Sequence, residues 1–183
     1  MTGLETMSCT LARGAAVLGD GAMTRWLIAL AWLCAAPAAW ADEARQCTAQ
    51  GGTYLTGTIA HGPFYVRARQ YKHGVALSHT KILLRGEDGQ TYDIRADNVF
   101  AAGYDAAPGD VPAPLSNLRP GDRLSLCGKL YRANSGRMGM DWVHTNCGAP
   151  PRHGAPDGWL KEIGPDAKPG RNLEGSEEYC GLW

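Results

Sequence analysis

The chain has 183 residues, with 18 Lys and Arg against 18 Asp and Glu, so its formal net charge is zero. A neutral chain lacks the basic surface of a dedicated nucleic-acid-binding protein, which argues against nucleic acid as a partner without excluding a local patch. The length and the 44% hydrophobic content indicate a single globular domain.

The N-terminal region contains the three parts of a secretory signal peptide. Residues 23–25 (MTR) form a short basic start, and residues 26–34 (WLIALAWLC) form an apolar run. Ala39 and Ala41 then have the small-x-small spacing of a cleavage site. The apolar run is much shorter than the roughly 20 residues that span a bilayer, so we do not predict a membrane anchor.

We therefore predict that residues 1–41 form a leader, with Met23 as the true start of translation. The exported chain then begins at Asp42 and forms one domain over residues 42–183. Its expected location is the periplasm or the medium, and the exported chain has no predicted membrane span.

The first predicted strand of the exported domain is interrupted. Residues 53–59 (TYLTGTI) are rich in β-forming residues and alternate in polarity, which predicts a strand. Residues 61–63 (HGP) interrupt it, and residues 64–67 (FYVR) are expected to resume it after a bend or bulge. A polar segment, 70–78, follows.

A β-hairpin is the clearest local prediction. Residues 81–85 (KILLR) and 91–95 (TYDIR) flank the sequence EDGQ. Asp-Gly between two apolar runs indicates a tight hairpin turn, because such turns need positive φ angles. Residues 97–102 are expected to form one helical turn, and the proline-rich segment 103–118 a long loop.

The fourth predicted strand follows a turn at residues 119–122 (RPGD) and covers residues 123–131 (RLSLCGKLY). Its alternation puts Cys127 on the outer face and three leucines on the inner face, namely Leu124, Leu126 and Leu130.

The fifth predicted strand covers residues 137–145 (RMGMDWVHT), after a tight connection at 134–136. Strand alternation would place four side chains on one face, namely Met138, Met140, Trp142 and His144. From about residue 147 onward the chain is rich in Gly and Pro, which predicts a loop-rich tail.

Five short strands in this order predict an all-β fold, a small Greek-key barrel of the oligonucleotide/oligosaccharide-binding (OB) type. A two-sheet sandwich is the alternative. The sequence shows no internal repeat and no sign of a second domain.

Three C-terminal segments, 141–144 (DWVH), 152–153 (RH) and 158–160 (GWL), resemble the signature of a family of short exported bacterial proteins of unknown function. That signature runs roughly H-W-T-H-H-D-P, then H, then G-W-I. Upstream, 78–83 (SHTKIL) and 118–122 (LRPGD) resemble the family's H-Q-R-F-I-L and L-x-x-G-D elements. The resemblance implies an OB-like barrel and singles out residues, but it implies no reaction, because the family has no established activity.

The cysteines of the exported chain are predicted to form two disulfides, because their number is even and the compartment is oxidising. A zinc site is the rival interpretation, but no C-x-x-C pair is present. Three pairings are possible. We favour Cys47–Cys127, because the first and fourth strands are neighbours in such a barrel, and Cys147–Cys180, which would anchor the tail.

His79, His144 and His153 lie at family-like positions. In an OB-type barrel the start of the second strand and the end of the fifth lie at the same end, so we expect these histidines to converge. Three histidines with an open fourth position suit zinc, for which Asp141 and Asp157 would be supporting carboxylates or a general base. The alternatives are a structural role at the rim of the barrel and polar contact with a ligand.

The tryptophans have two possible roles. Trp142 is expected in the core, and Trp159 either caps the barrel mouth or offers a stacking surface to a sugar or a base. We predict a non-enzymatic exported binding or interaction domain, without a cofactor, for a small molecule, a glycan or a protein partner. The alternative is a small zinc-dependent hydrolase that uses His79, His144 and His153.

Overall fold

A computed structural model of the protein describes residues 38–104, 109–133, 136–148 and 154–182. Nearly all of the predicted leader lies outside these residues, and so does His153. No helix in the described ranges combines the length and the apolar character needed to cross a bilayer.

The described chain consists mainly of strands, with two α-helices and two short 3₁₀ turns. Its elements are α1 (Ala38–Ala49), β1 (Thr53–Val66), β2 (Tyr71–Lys72), β3 (Val75–Ala76), β4 (His79–Gly86), β5 (Thr91–Asp97), a 3₁₀ turn (Asn98–Phe100), α2 (Ala113–Ser116), β6 (Arg123–Arg132), β7 (Met138–Asp141), β8 (Trp159–Ile163), β9 (Pro169–Asn172) and a second 3₁₀ turn (Cys180–Leu182).

Five strands close into a barrel. Their order is β1-β4-β5-β7-β6, and β6 pairs back onto β1. Four of the five pairings are antiparallel, and β5 with β7 is parallel. These are the neighbours of an OB-type barrel, so the predicted all-β Greek-key fold is confirmed and the two-sheet sandwich is excluded.

The barrel is filled by the inward side chains of each strand, which alternate with outward polar ones. Ile82 and Leu84 of β4 are fully buried, as are Ile94 of β5 and Leu124 and Leu126 of β6. Because the period is two, the intervening residues of β4 and β5 face outward, and these strands present a polar outer surface.

The predicted break in β1 is a pair of register shifts on either side of His61. Before the break, β1 pairs with β6 from Thr53 to Thr58 and with β4 from Gly57 to Ile59. After it, pairing with β4 resumes at Phe64 and continues to Val66. Bulges of this kind bend a strand, which here lets β1 close the barrel and still extend along β4.

Both predicted disulfides are confirmed. Cys47 of α1 bonds to Cys127 of β6, and Cys147 bonds to Cys180. Cys127 points outward, as predicted, and α1 covers this side of the barrel, where the disulfide is fully buried with Trp159. Sequence patterns did not indicate α1, which begins within the predicted leader.

The tail has more structure than predicted. It contains a hairpin, β8–β9, and β8 pairs with β6 from Arg123 to Cys127. The polar segment 70–78 likewise holds the small hairpin β2–β3, which turns at His73 and Gly74, both with positive φ. These strands are too short for alternation to reveal them.

The fifth strand was predicted too long. It ends at Asp141, because Trp142 adopts a positive φ of 57° and turns the chain out of the sheet. The expected shared face is therefore wrong: Met138 and Met140 pack in the barrel core, whereas Trp142 does not belong to it. Leu130 pairs directly with the core residue Met140 and so keeps its predicted inner face, but it is 37% exposed near the end of β6.

Candidate functional site

Two of the predicted site histidines meet at one end of the barrel, on Asp97. His79 begins β4 and pairs directly with Asp97, the last residue of β5. Its Nε2 lies 2.9 Å from Asp97 Oδ1, and Nε2 of His144 lies 3.4 Å from Asp97 Oδ2. His144 follows β7, the parallel neighbour of β5, so the carboxylate between the two rings comes from the intervening strand.

His144 is enclosed by aromatic rings. It is only 5% exposed and stacks parallel to Phe100, with ring centroids 3.9 Å apart. The Trp142 ring lies on it at 5.5 Å. Nδ1 of His144 is 2.7 Å from the carbonyl oxygen of Thr145, and because a carbonyl only accepts, Nδ1 carries the proton.

A chain of buried hydrogen bonds holds Phe100 against His144. Thr80 donates to the side chain of Asn98 at 2.6 Å, and Asn98 donates to Ser78 at 2.9 Å. Ser78 is 3.0 Å from the Tyr104 hydroxyl, which donates to a backbone carbonyl of β3. This chain anchors the 3₁₀ turn Asn98–Phe100 to the start of β4, which places Phe100 over the histidine.

Two further carboxyls lie near Asp97. Burial, followed by the charge of Asp97, raises the pKa of Asp141 above its usual range. The same two causes raise the pKa of Glu174 much further, because Glu174 is fully buried. A backbone hydrogen bond from Asp97 acts in the opposite direction and lowers it, and no described side chain bonds to the Glu174 oxygens. At this end of the barrel burial is therefore the main cause that raises the pKa values of Asp141 and Glu174, and Glu174 favours its neutral form.

A cleft of about 740 Å³ opens beside the His79–Asp97 pair, along the outer face of β4 and β5. Four cationic side chains line it, namely Arg67, Arg69, Lys81 and Arg95. Among the described residues of its wall, Asp97 is the only carboxylate. The neutral chain thus concentrates positive charge in one place.

The four cations differ in how they are held. Lys81 pairs with the buried Asp93 at 2.8 Å, and the Arg95 guanidinium lies 5.3 Å from the centre of the Tyr131 ring. Arg67 and Arg69 are exposed, and in the described part of the chain neither forms an ion pair. The cleft therefore combines two fixed cations with two that are available to a ligand.

The other predicted site residues lie elsewhere. Trp159 is 4% exposed and packs on the Cys47–Cys127 disulfide, so no face of its ring is open to a ligand. Asp157 accepts a hydrogen bond from the backbone of Asn146 at 2.8 Å and fixes a loop. His153 lies outside the described residues.

No group of three or more His, Cys, Asp or Glu side chains within the described ranges is arranged to hold a metal ion. The Nε2 atoms of His79 and His144 are both directed at Asp97 instead.

Sequence reasoning missed Asp97, Phe100 and the cationic cleft. The signal for Asp97 was present, because extending the predicted hairpin from Arg85 opposite Thr91 brings residue 97 opposite residue 79. Nothing in the sequence pattern indicated Phe100, since its position depends on the buried hydrogen bonds of a 3₁₀ turn.

The comparisons with known proteins add no assignment: no family profile and no curated protein matches the chain. The resemblance to the exported family of unknown function therefore stays a prediction.

Proposed function

We propose that the protein is an exported, non-enzymatic binding domain that takes up an anionic ligand in the cleft between Arg67 and Arg95. The observation that carries this proposal is the clustering of four cations in the cleft, although the chain as a whole is neutral. Such a concave cationic surface attracts anions and raises their local concentration. The outer face of these two strands is also where OB-type barrels bind ligands, which supports the proposal by analogy of fold.

The arrangement of Asp97 favours binding over catalysis. Its two oxygens face the Nε2 atoms of His79 and His144, so the carboxylate is engaged by the protein at the end of the cleft. His144 is buried beneath Phe100 and lies out of reach of a ligand in the cleft. The histidines are thus best explained as the structural end wall of a binding site, and no specific observation favours the zinc-dependent hydrolase.

Export belongs to the proposal as well. Two buried or half-buried disulfides fit a protein that leaves the reducing cytoplasm. The signal-peptide pattern of residues 23–41 points to the same compartment.

Calorimetric titration of the purified protein with inorganic pyrophosphate tests the proposed site. We expect binding that weakens as salt is added, because the contacts are exposed charges. Arg67→Ala and Arg69→Ala should each weaken it about tenfold, since a hydrogen bond to a charged group contributes roughly 1.5 kcal/mol.

Arg85→Ala is the matched control. Arg85 lies on the same outer face of β4 but does not line the cleft, so its loss should leave pyrophosphate binding unchanged. Equal effects of Arg85→Ala and Arg67→Ala, or no binding by the unaltered protein, would contradict the proposal.

A further inference from the structure

Exposed apolar side chains are concentrated next to the two free arginines of the cleft. Four large apolar residues are exposed within the described ranges, and three belong to the stretch from Phe64 to Tyr71. Phe64 is 53% exposed, Val66 40% and Tyr71 66%. Single exposed apolar residues are ordinary, but a group of them beside charged side chains marks an interaction surface.

The strand pairing places these side chains on the face that carries the cleft. Phe64 pairs directly with Lys81, and Val66 pairs with His79. Directly paired residues of an antiparallel ladder point to the same face of the sheet, and Lys81 and His79 both line the cleft. Phe64 and Val66 therefore extend the cationic surface with an apolar one.

Tyr71 is next to the cleft in the chain and is the most exposed of the three. It directly follows Gln70, which lines the cleft, and it begins β2 of the small hairpin. The hairpin is closed at its base by a hydrogen bond from the Leu77 amide to the Gln70 carbonyl, at 2.9 Å. Both residues of this bond line the cleft, so the hairpin that carries Tyr71 is attached to the cleft wall at its base.

A simple inorganic anion would contact the arginines and leave the two exposed aromatic rings unused. A ligand that uses both must carry negative charges and flat apolar faces within one molecule. We propose that the ligand is an acidic oligosaccharide, with sugar rings against Phe64 and Tyr71 and its carboxylate, sulfate or phosphate groups on Arg67 and Arg69.

This inference rests on the proposed anion-binding function and goes further by naming the class of ligand. Sugar rings present C–H faces that pack on aromatic rings, while arginine forks bind planar acidic groups in pairs of hydrogen bonds. Single-stranded nucleic acid has similar features, but it is the weaker candidate. Its binding relies on a long positive groove, and here two free arginines stand in a chain of zero net charge.

Four probes separate the possible ligands: a galacturonic-acid oligomer, a neutral maltose oligomer of the same length, inorganic pyrophosphate and an oligothymidylate. We expect the galacturonic-acid oligomer to bind the purified protein more tightly than any of the other three. Tighter binding of the oligothymidylate would overturn the inference in favour of nucleic acid. Binding of pyrophosphate as tight as that of the acidic sugar would overturn it while leaving the anion site intact, and failure of every probe would remove both proposals.

Substitution of the aromatic residues tests the contacts themselves. Tyr71→Ser and Phe64→Ser should each weaken binding of the galacturonic-acid oligomer about three- to tenfold, the usual contribution of an aromatic contact, and leave pyrophosphate binding unchanged. Leu130→Ser is the control, because Leu130 is the remaining exposed apolar residue and does not line the cleft. Equal losses in all three variants, or no loss in the first two, would show that the aromatic residues do not contact the sugar.

Discussion

Asp97 organises one end of the barrel through its charge and its two oxygen atoms. One oxygen faces His79 and the other faces His144, so a single carboxylate links the start of β4 to the segment after β7. The same charge disfavours ionisation of Asp141 and Glu174 nearby. The site thus groups three carboxyls at one end of the barrel, and the pKa values of two of them, Asp141 and Glu174, are raised.

The buried carboxyl of Glu174 should make the stability of the fold depend on pH. Its pKa in the folded protein is raised, first by burial and then by Asp97, so the folded state favours the protonated form. A group with a raised folded pKa contributes stability that is fully present below its unfolded pKa and is lost as the pH rises toward the folded value. We therefore predict that the contribution of Glu174 to the free energy of unfolding falls as the pH rises above about 4.5, the ordinary glutamate value.

Glu174→Gln should remove this part of the pH dependence, because the amide stays neutral and has nearly the same shape. Thermal unfolding measured across the pH range checks the prediction, and the variant should gain on the unaltered protein as the pH rises. Glu178→Gln, an exposed residue of the same segment, is the control and should follow the unaltered profile. Parallel profiles for Glu174→Gln and the unaltered protein would contradict the prediction.

At the scale of elements, secondary structure that local sequence specifies was predicted, and secondary structure that depends on contacts between distant segments was not. The hairpin β4–β5 was predictable because its turn is specified locally: Gly89 has a φ of 80°, and Asp88 accepts hydrogen bonds from the Gln90 amide and the Tyr92 hydroxyl. The hydrogen bond to Asp88 raises the pKa of Tyr92 to about 12, which keeps the hydroxyl a donor.

β8 shows the opposite case. Its five residues alternate only weakly, and it becomes a strand because β6 offers it an open edge beyond the short β7. Backbone contacts then fix the tail further: the Thr145 amide donates to Glu174, and the Ser176 amide donates to Phe100. Such long-range pairing leaves no periodic signal in the sequence, so the tail was predicted as a loop.

The Cys147–Cys180 disulfide closes this element, and its removal is a second prediction. The two cysteines are 33 positions apart. A cross-link over that separation reduces the chain entropy of the unfolded state, which stabilises the folded state by about 4 kcal/mol. We expect a Cys147→Ser, Cys180→Ser double variant to lose about that much stability in denaturant unfolding. Hydrogen exchange should then show early loss of protection in β8 and β9.

The Cys47–Cys127 pair supplies the comparison for this test. It is fully buried and packs on Trp159 at the start of β8, so its replacement by serines should weaken α1 and the start of β8 but leave β9 protected. Loss of protection in β9 from both double variants would show that the Cys147–Cys180 bond does not hold the tail specifically.

At the scale of the whole molecule, the net charge of the chain does not predict the cationic cleft. The sequence predicted a neutral chain without a strong electrostatic partner, whereas folding brings together cations from the end of β1, from β4 and from β5. Arg67 and Arg95 lie far apart in the chain, and the pairing of β1 and β5 on either side of β4 that brings them to one cleft was predicted only as a topology. The class of fold was therefore accessible from the sequence, and the cleft was not.

The predicted start of the mature chain bears on the whole molecule too, because α1 forms contacts on both sides of the predicted cleavage point. Trp40 precedes that point: its indole donates to the Ala167 carbonyl at 2.8 Å, and the Arg123 guanidinium lies 4.8 Å from its ring. Glu43 follows it, and its carboxylate contacts Lys161 at 2.7 Å and Ser125 at 2.6 Å. Cleavage after Ala41 would remove the first set of contacts and keep the second.

We predict that the exported protein begins at Asp42 and remains folded, because Glu43 and the Cys47–Cys127 bond still fasten α1 to the barrel. A chain that begins at Ala38 should be more stable by about 2 kcal/mol at most, since the Trp40 hydrogen bond and the half-exposed cation–π contact each contribute about 1 kcal/mol. N-terminal sequencing of the exported material identifies the first residue, and denaturant unfolding compares the two chains. Exported material that begins at Met23 or Cys34 would contradict the assignment of the leader, and a much larger difference in stability would show that Trp40 belongs to the mature fold.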